Sequence, residues 1–153
     1  MTEDIIQNLK KRDSRTISRC ISLVENQQDS YLEFLSSIFP YTGNAYRIGI
    51  TGAPGSGKST LTGRLLKLFS EAGDKLAVLA IDPSSPLTGG AILGDRIRMD
   101  DLAGEESFIR SMATRGHSGG LALAVPAAIQ LFDAVGYEPV IIETVGVGQV
   151  EVD

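Results

Sequence analysis

Between Tyr46 and Thr60 the chain reads YRIGITGAPGSGKST. A short apolar run enters a loop rich in glycine. A stretch follows in which Leu61, Leu65, Leu68 and Phe69 recur at helical spacing as far as Gly73. Glycines permit positive φ and close backbone approach, so successive N–H groups turn inward and wrap an anion. A helix opening near Lys58 adds the positive end of its dipole. Gly52, Gly57, Lys58 and Ser59 satisfy G-x-x-x-x-G-K-[ST], and the flanks pass the context test of strand before and helix after. This predicts a phosphate loop. The backbone of Gly52, Ala53, Pro54, Gly55, Ser56, Gly57 and on to Thr60 cradles the phosphates, Lys58 meets the β- and γ-phosphates as a point charge, and the Ser59 hydroxyl ligates Mg²⁺. A glycine-rich turn with a solvent lysine is the plain alternative, and it explains neither flank. The motif specifies a triphosphate and is silent on the base.

The rest of the pattern fits a layered α/β domain. KLAVLAID is a second, continuous apolar strand and PVIIET a third, as in a parallel sheet covered on both faces. Between them, GGLALAVPAAIQLFDAVG reads as a helix carrying Leu121, Val125, Ile129 and Phe132 and stopping at Gly136. Pro126 is awkward there, costing ~3 kcal/mol in a helix interior. SFIRSMA is ambiguous between a strand and a helical turn, and residues 83–104 read as a long loop. Ahead of the glycine loop, residues 1–39 are helical, with Ser14 placed to cap a second helix bearing Ile17, Cys20, Ile21 and Val24. PYTGN breaks the pattern as a linker. The expected organisation is a helical extension and linker over residues 1–44 and a three-layer phosphate-loop domain with a parallel sheet over residues 45–153.

Carboxylates at strand tips supply the next candidates. In a phosphate-loop protein the strand beside the loop-bearing strand ends in an acid that holds Mg²⁺ through water. Glu143, after the run PVII, takes that place. Gly146, three residues on, suits a backbone N–H that contacts the γ-phosphate and swings away after hydrolysis. The residue after Gly146 is Val147, so the glutamine that elsewhere orients the attacking water is absent, and Gln149 cannot simply inherit that role. Another acid must organise attack, or intrinsic hydrolysis is slow. Asp82, at the C-terminal tip of the second strand, sits where ligands gather and is the candidate to hold a Mg²⁺-bound water or orient the nucleophile. Asp95 is a further catalytic candidate, with pairing to Arg96 or Arg98 as the plain alternative. His117 reads as a loop residue rather than a base.

Composition narrows the partners. A net charge of −5 argues against a general nucleic-acid or anionic-membrane partner, so a phosphate site has to be local and built from backbone. The one cysteine, Cys20, excludes an intrachain disulfide and lies on an apolar helical face, the setting of an inert thiol. The longest apolar segment is too short for a membrane span and the amino terminus is no secretory signal, so a cytoplasmic location is expected.

With LVEN, TGNAYRIGITGAPGSGKST, IDPSSPLTGGAILGDRIRM, FIRSMATRG and ETVGVGQ in collinear order, the sequence resembles the MeaB/ArgK family of P-loop GTPases, which includes the methylmalonic aciduria type A proteins. The resemblance implies a GTP/GDP-binding switch with Mg²⁺, serving as chaperone to adenosylcobalamin-dependent methylmalonyl-CoA mutase. It implies phosphate binding from Gly52 to Thr60 and metal and catalytic duties around Asp82, Asp95 and Glu143. It also implies a homodimer in the full-length protein, with neither nucleic acid nor membrane as partner. A kinase of the amino-acid transport-system (ArgK) type is the main alternative, and a non-catalytic interaction module resting on the N-terminal helices is the third reading.

The family reads guanine through an [NT]-K-x-D motif beyond the acidic strand, and no such tetrapeptide occurs in these residues. The expectation is an N-terminal half, truncated after the acidic strand, that keeps the phosphate machinery without the base reader. The strand at Tyr46 to Thr51 then becomes an open edge, which recruits another chain. Light scattering at micromolar concentration should show self-association. Competition should show a GTP over ATP preference of at most about threefold, because only the phosphate contacts, common to both nucleotides, survive. A monomer with strong guanine selectivity would place the base reader within these residues.

Overall fold

The computed structural model describes residues 2–26, 28–82, 106–113 and 118–144. They form two compact units, one of residues 1–45 with 117–138 and one of residues 46–116 with 139–153.

The first unit is helical. It holds α1 (Thr2–Lys10), α2 (Ser14–Glu25), α3 (Tyr31–Ile38), a 3₁₀ turn at Phe39–Tyr41 and α5 (Ser118–Val135). The cap of α2 is Asp13 and not Ser14: the Asp13 backbone is extended, and its carboxylate accepts from the Thr16 amide at 2.8 Å and the Thr16 hydroxyl at 2.6 Å. Ser14 is already inside the first turn, one residue too late to reach that amide. Ile17, Cys20, Ile21 and Val24 are buried, and α2 packs on α5. Burial pushes the Cys20 thiol up to about 11, so it stays protonated and inert at neutral pH.

The α5 helix runs through Pro126, which is exposed, the side on which solvent can satisfy the carbonyl that loses its amide partner. Among the described side chains its buried positions are Ala124, Ala127, Ala128, Leu131, Phe132, Asp133 and Val135. Of the expected stripe, Phe132 is buried, Val125 and Ile129 are only half-buried, and the Leu121 side chain lies outside the described residues. The helix ends in a Schellman motif. Gly136 takes a φ of +84°, its N–H donates to the Asp133 carbonyl at 2.9 Å, and the Tyr137 N–H donates to the Phe132 carbonyl at 3.1 Å. The Phe132 and Tyr137 rings close the motif edge to face at 6.0 Å.

The second unit contains β1 (Arg47–Ile50), α4 (Lys58–Glu71), β2 (Ala77–Asp82), β3 (Phe108–Ala113) and β4 (Val140–Glu143). The strands form one parallel sheet in the order β1-β4-β2-β3. Ile50, Leu66, Leu76, Val78 and Ile141 make the core between α4 and the sheet, with Ile48, Leu65, Phe69 and Ile109 packed against it. The ambiguous SFIRSMA segment is a strand, paired along its length with β2. Among the described strands β1 stands at the sheet edge, with Arg47 and Gly49 exposed and Ile50 buried. One expectation needs correction. Leu61 and Leu68, 50% and 60% exposed, are not core residues, because the buried face of α4 is centred on Thr62, Gly63 and Leu66. Among the described residues no helix is long and apolar enough to cross a membrane.

Asp133, 2% exposed, went unnoticed in the sequence. Its carboxylate accepts three successive backbone N–H groups, from Gly43 at 2.8 Å, Asn44 at 3.1 Å and Ala45 at 3.0 Å. The linker before β1 is thus pinned by a buried charge. Asp133→Ala is expected to lower unfolding stability by ~3 kcal/mol or more, since charge-assisted bonds are worth ~1.5–3 kcal/mol each and three donors lose their acceptor. Urea unfolding reads this as a lowered midpoint at constant slope. A loss under ~1 kcal/mol would mean that solvent replaces the carboxylate.

Candidate phosphate-binding site

The C-terminal ends of β1, β4 and β2 collect the candidate residues, as expected of a parallel sheet. Leaving β1, the chain turns through Gly52, Gly55 and Gly57 with φ of +152°, +75° and +88°. Gly57 is the left-handed N-cap of α4, a conformation that costs a side-chain-bearing residue strain. At Gly52 a Cβ would lie 3.0 Å from the Ser56 hydroxyl oxygen, inside the loop's own packing. The Ser56 N–H donates to the Ala53 carbonyl at 3.2 Å, closing the turn around Pro54.

Lys58 reaches back over this loop. Its ammonium donates to the carbonyls of Gly52 and Ala53, each at 2.9 Å. The loop is therefore held in its curve by the same lysine that is expected to meet phosphate. Ser59, one residue on, donates its hydroxyl proton to Glu143 Oε1 at 2.6 Å. Glu143 is buried, 8% exposed, and its Oε2 has no hydrogen-bond partner among the described residues. Leaving a buried carboxylate oxygen unmet is costly, and it marks a place that a cation or its water would fill. A hydroxyl whose proton goes to Glu143 keeps its lone pairs for a cation, and a hydroxyl–carboxylate donor set suits a hard ion such as Mg²⁺. The residues present fit that ion.

The structure brings Lys58, Ser59 and Glu143 together and places Asp82 on the neighbouring strand. Glu143 is level with Ala80 in the β2–β4 register, so Asp82 stands two residues further toward the strand end. Thr60 is exposed on the first turn of α4. Asp95, Gly146 and His117 lie outside the described residues. Thr144 was missed: its N–H donates to the Ile50 carbonyl at 2.9 Å and its hydroxyl lies 3.5 Å from the same oxygen, fastening the chain after Glu143 to the root of the loop.

A parallel sheet with this glycine loop between strand and helix, and an acid on the adjacent strand tip, defines a P-loop nucleoside-triphosphatase domain. Residues 17–153 match the family model described as methylmalonyl-CoA mutase-associated GTPase MeaB, and the chain belongs to that family. A protein of Pyrococcus abyssi is 53% identical over 154 residues, covering 100% of this chain and 48% of its own length. The Escherichia coli protein named GTPase ArgK is 44% identical over 153 residues, 97% of this chain and 46% of its own. A solved structure titled LAO/AO transport system kinase superposes with a TM-score of 0.74 at 36% identity, covering 98% of this chain and 45% of that one. The chain thus spans about half the length of the relatives it matches.

If the loop cradles phosphate, Lys58→Ala should weaken triphosphate binding at least about tenfold, the size of one charge-assisted contact of ~1.5 kcal/mol. Titration calorimetry with GTP reads it directly. Unchanged affinity would remove the lysine from the phosphate site.

Proposed function

We propose that this chain carries the phosphate- and metal-binding part of a GTP-hydrolysing switch that acts as chaperone to an adenosylcobalamin-dependent methylmalonyl-CoA mutase. Membership of a GTPase family named for that association supports the reading. The carrying observation is the Ser59–Glu143 pair, with its unmet Oε2, beside the Gly52–Thr60 loop.

In this reading the backbone of Gly52 to Thr60 takes up GTP or GDP. Lys58 exchanges the Gly52 and Ala53 carbonyls for β- and γ-phosphate oxygens. Ser59, with Glu143 and Asp82 behind it, would hold Mg²⁺, which when bound supplies neutralisation of the phosphate charge. Glu143 orients the Ser59 hydroxyl. Asp82 and Asp95 are the proposed groups for orienting the attacking water, and the Gly146 N–H the sensor of the γ-phosphate. We place residues 1–44 as a helical extension and linker and residues 45–153 as the GTPase domain, with α5 as the crossover from β3 to β4. The active protein is proposed to be a cytoplasmic homodimer of the relatives' full length.

The solved neighbour's title favours one rival, a kinase passing the γ-phosphate to an acceptor. Labelled γ-phosphate separates the two: a switch releases only free phosphate and is stimulated by its client, whereas a kinase yields a labelled acceptor. For the switch, Glu143→Gln and Asp82→Asn in a chain of the relatives' full length should hold nucleotide affinity within roughly tenfold while turnover falls by ~10² or more, since these groups act on metal and water rather than the cradle. Single-turnover hydrolysis beside binding measures both. Turnover at the parental rate in either variant would strip that residue of its role.

A further inference from the structure

Charge is unevenly distributed along this acidic chain. Residues 10–19 hold Lys10, Lys11, Arg12, Arg15 and Arg19 against the single acid Asp13, a local charge of +4. The other 143 residues carry nine basic and eighteen acidic side chains, −9. Two of the five cations are spent within the helical unit. The Lys10 ammonium lies 4.6 Å from the centre of the Tyr41 ring. Arg12 lies over Tyr137 at 5.9 Å and donates to the Gly136 carbonyl at 3.4 Å. Asp13 is held by both of its bonds to Thr16 in the α2 cap, which with the charges of Arg15 and Arg19 keep its carboxyl below the usual range, so it offsets only one of the positive charges around it.

Lys11, Arg15 and Arg19 remain. All three are exposed, and none forms an ion pair or side-chain hydrogen bond with another described residue. Arg15 and Arg19 are one turn apart, about 6 Å along the axis, on the side of α2 opposite the buried Ile17, Cys20, Ile21 and Val24. Ser22 and the exposed Asn26 continue the same row, so no acid interrupts it. Lys11, exposed, lies in the turn that leads into the cap.

We propose that the Lys11–Arg15–Arg19 row is a docking face for an acidic α-helix of a protein partner, one that presents carboxylates at positions i and i+4. The repeat of such a helix is the same ~6 Å, and each guanidinium can accept a carboxylate in a two-bonded fork. The occupant is a compact acidic element rather than an extended polyanion. A nucleic acid or anionic bilayer continues past the row, and the chain's net charge of −5 opposes it. A bilayer also needs apolar side chains to insert, and those of α2 are buried. Exposed ion pairs add little affinity, so the face sets encounter rate and orientation. The inference holds whichever protein the client is.

The test uses the 153-residue chain labelled with ¹⁵N and a helical peptide bearing glutamates at i and i+4, at low salt. Amide shifts should concentrate in residues 11–26. Binding should weaken at least tenfold in Arg15→Glu with Arg19→Glu, and measurably in the charge-removing pair Arg15→Gln with Arg19→Gln. Both positions are exposed, and circular dichroism verifies the fold. Arg64→Glu, an exposed cation on α4, should leave binding unchanged. Shifts spread over all basic residues, an equal loss in Arg64→Glu, or no peptide response would overturn the proposal. So would tighter binding of a single-stranded oligonucleotide or a phosphatidylserine vesicle than of the peptide.

Discussion

The 2.6 Å bond from Ser59 to Glu143 joins residues 84 apart in sequence, and most of the second unit exists to make it possible. It requires the first turn of α4 to face the tip of β4, so β4 must lie beside β1 although α4, β2, β3 and α5 come between them in the chain. The order β1-β4-β2-β3 provides this. Parallel pairing then brings every strand's carboxyl end to one edge, where a loop, a helix start and a carboxylate can converge without any of them leaving regular structure. The Thr144 N–H to the Ile50 carbonyl repeats the junction one residue along.

Part of this was legible in the sequence because local chemistry leaves no alternative. The Gly52–Ser59 spacing fixes a conformation that few other residue types could adopt, and the run PVIIE announces a strand with an acid at its tip. Burial was less legible. Leucine at helical spacing identifies α4 but not its inward side, and the structure turns Leu61 and Leu68 out while burying Thr62 and Gly63. In α5 the expected Phe132 is buried but Val125 and Ile129 only half so, and Ala124, Ala127 and Ala128, whose small size hardly registers in an apolar pattern, are buried as well. Asp13 and Asp133 were missed for a common reason: each acts on amides whose position depends on the fold. Asp133 did leave a clue, an acid within the apolar stretch IQLFDAV, since a buried carboxylate needs donors. Asp95 and Gly146 remain sequence readings.

Lys58 has a part in the architecture of the loop as well as in what the loop is expected to bind. Hydrogen bonds to the Gly52 and Ala53 carbonyls give the ammonium acceptors and keep the loop curved. Phosphate affinity is therefore a difference between two sets of bonds to the same ammonium.

The helical unit is drawn from two stretches of chain, residues 1–45 and 117–138, and α2 and α3 rest on a helix that belongs by sequence to the connection between β3 and β4. Its amino-terminal part is consequently not a detachable appendage. Excising residues 1–39 would strip α2 and α3 from α5 and leave that helix without its packing partners. A loss of client binding in such a deletion would conflate the missing surface with a damaged scaffold. Dissecting the two contributions calls for surface substitutions, or for supplying α1 to α3 in trans, so that α5 is never left uncovered.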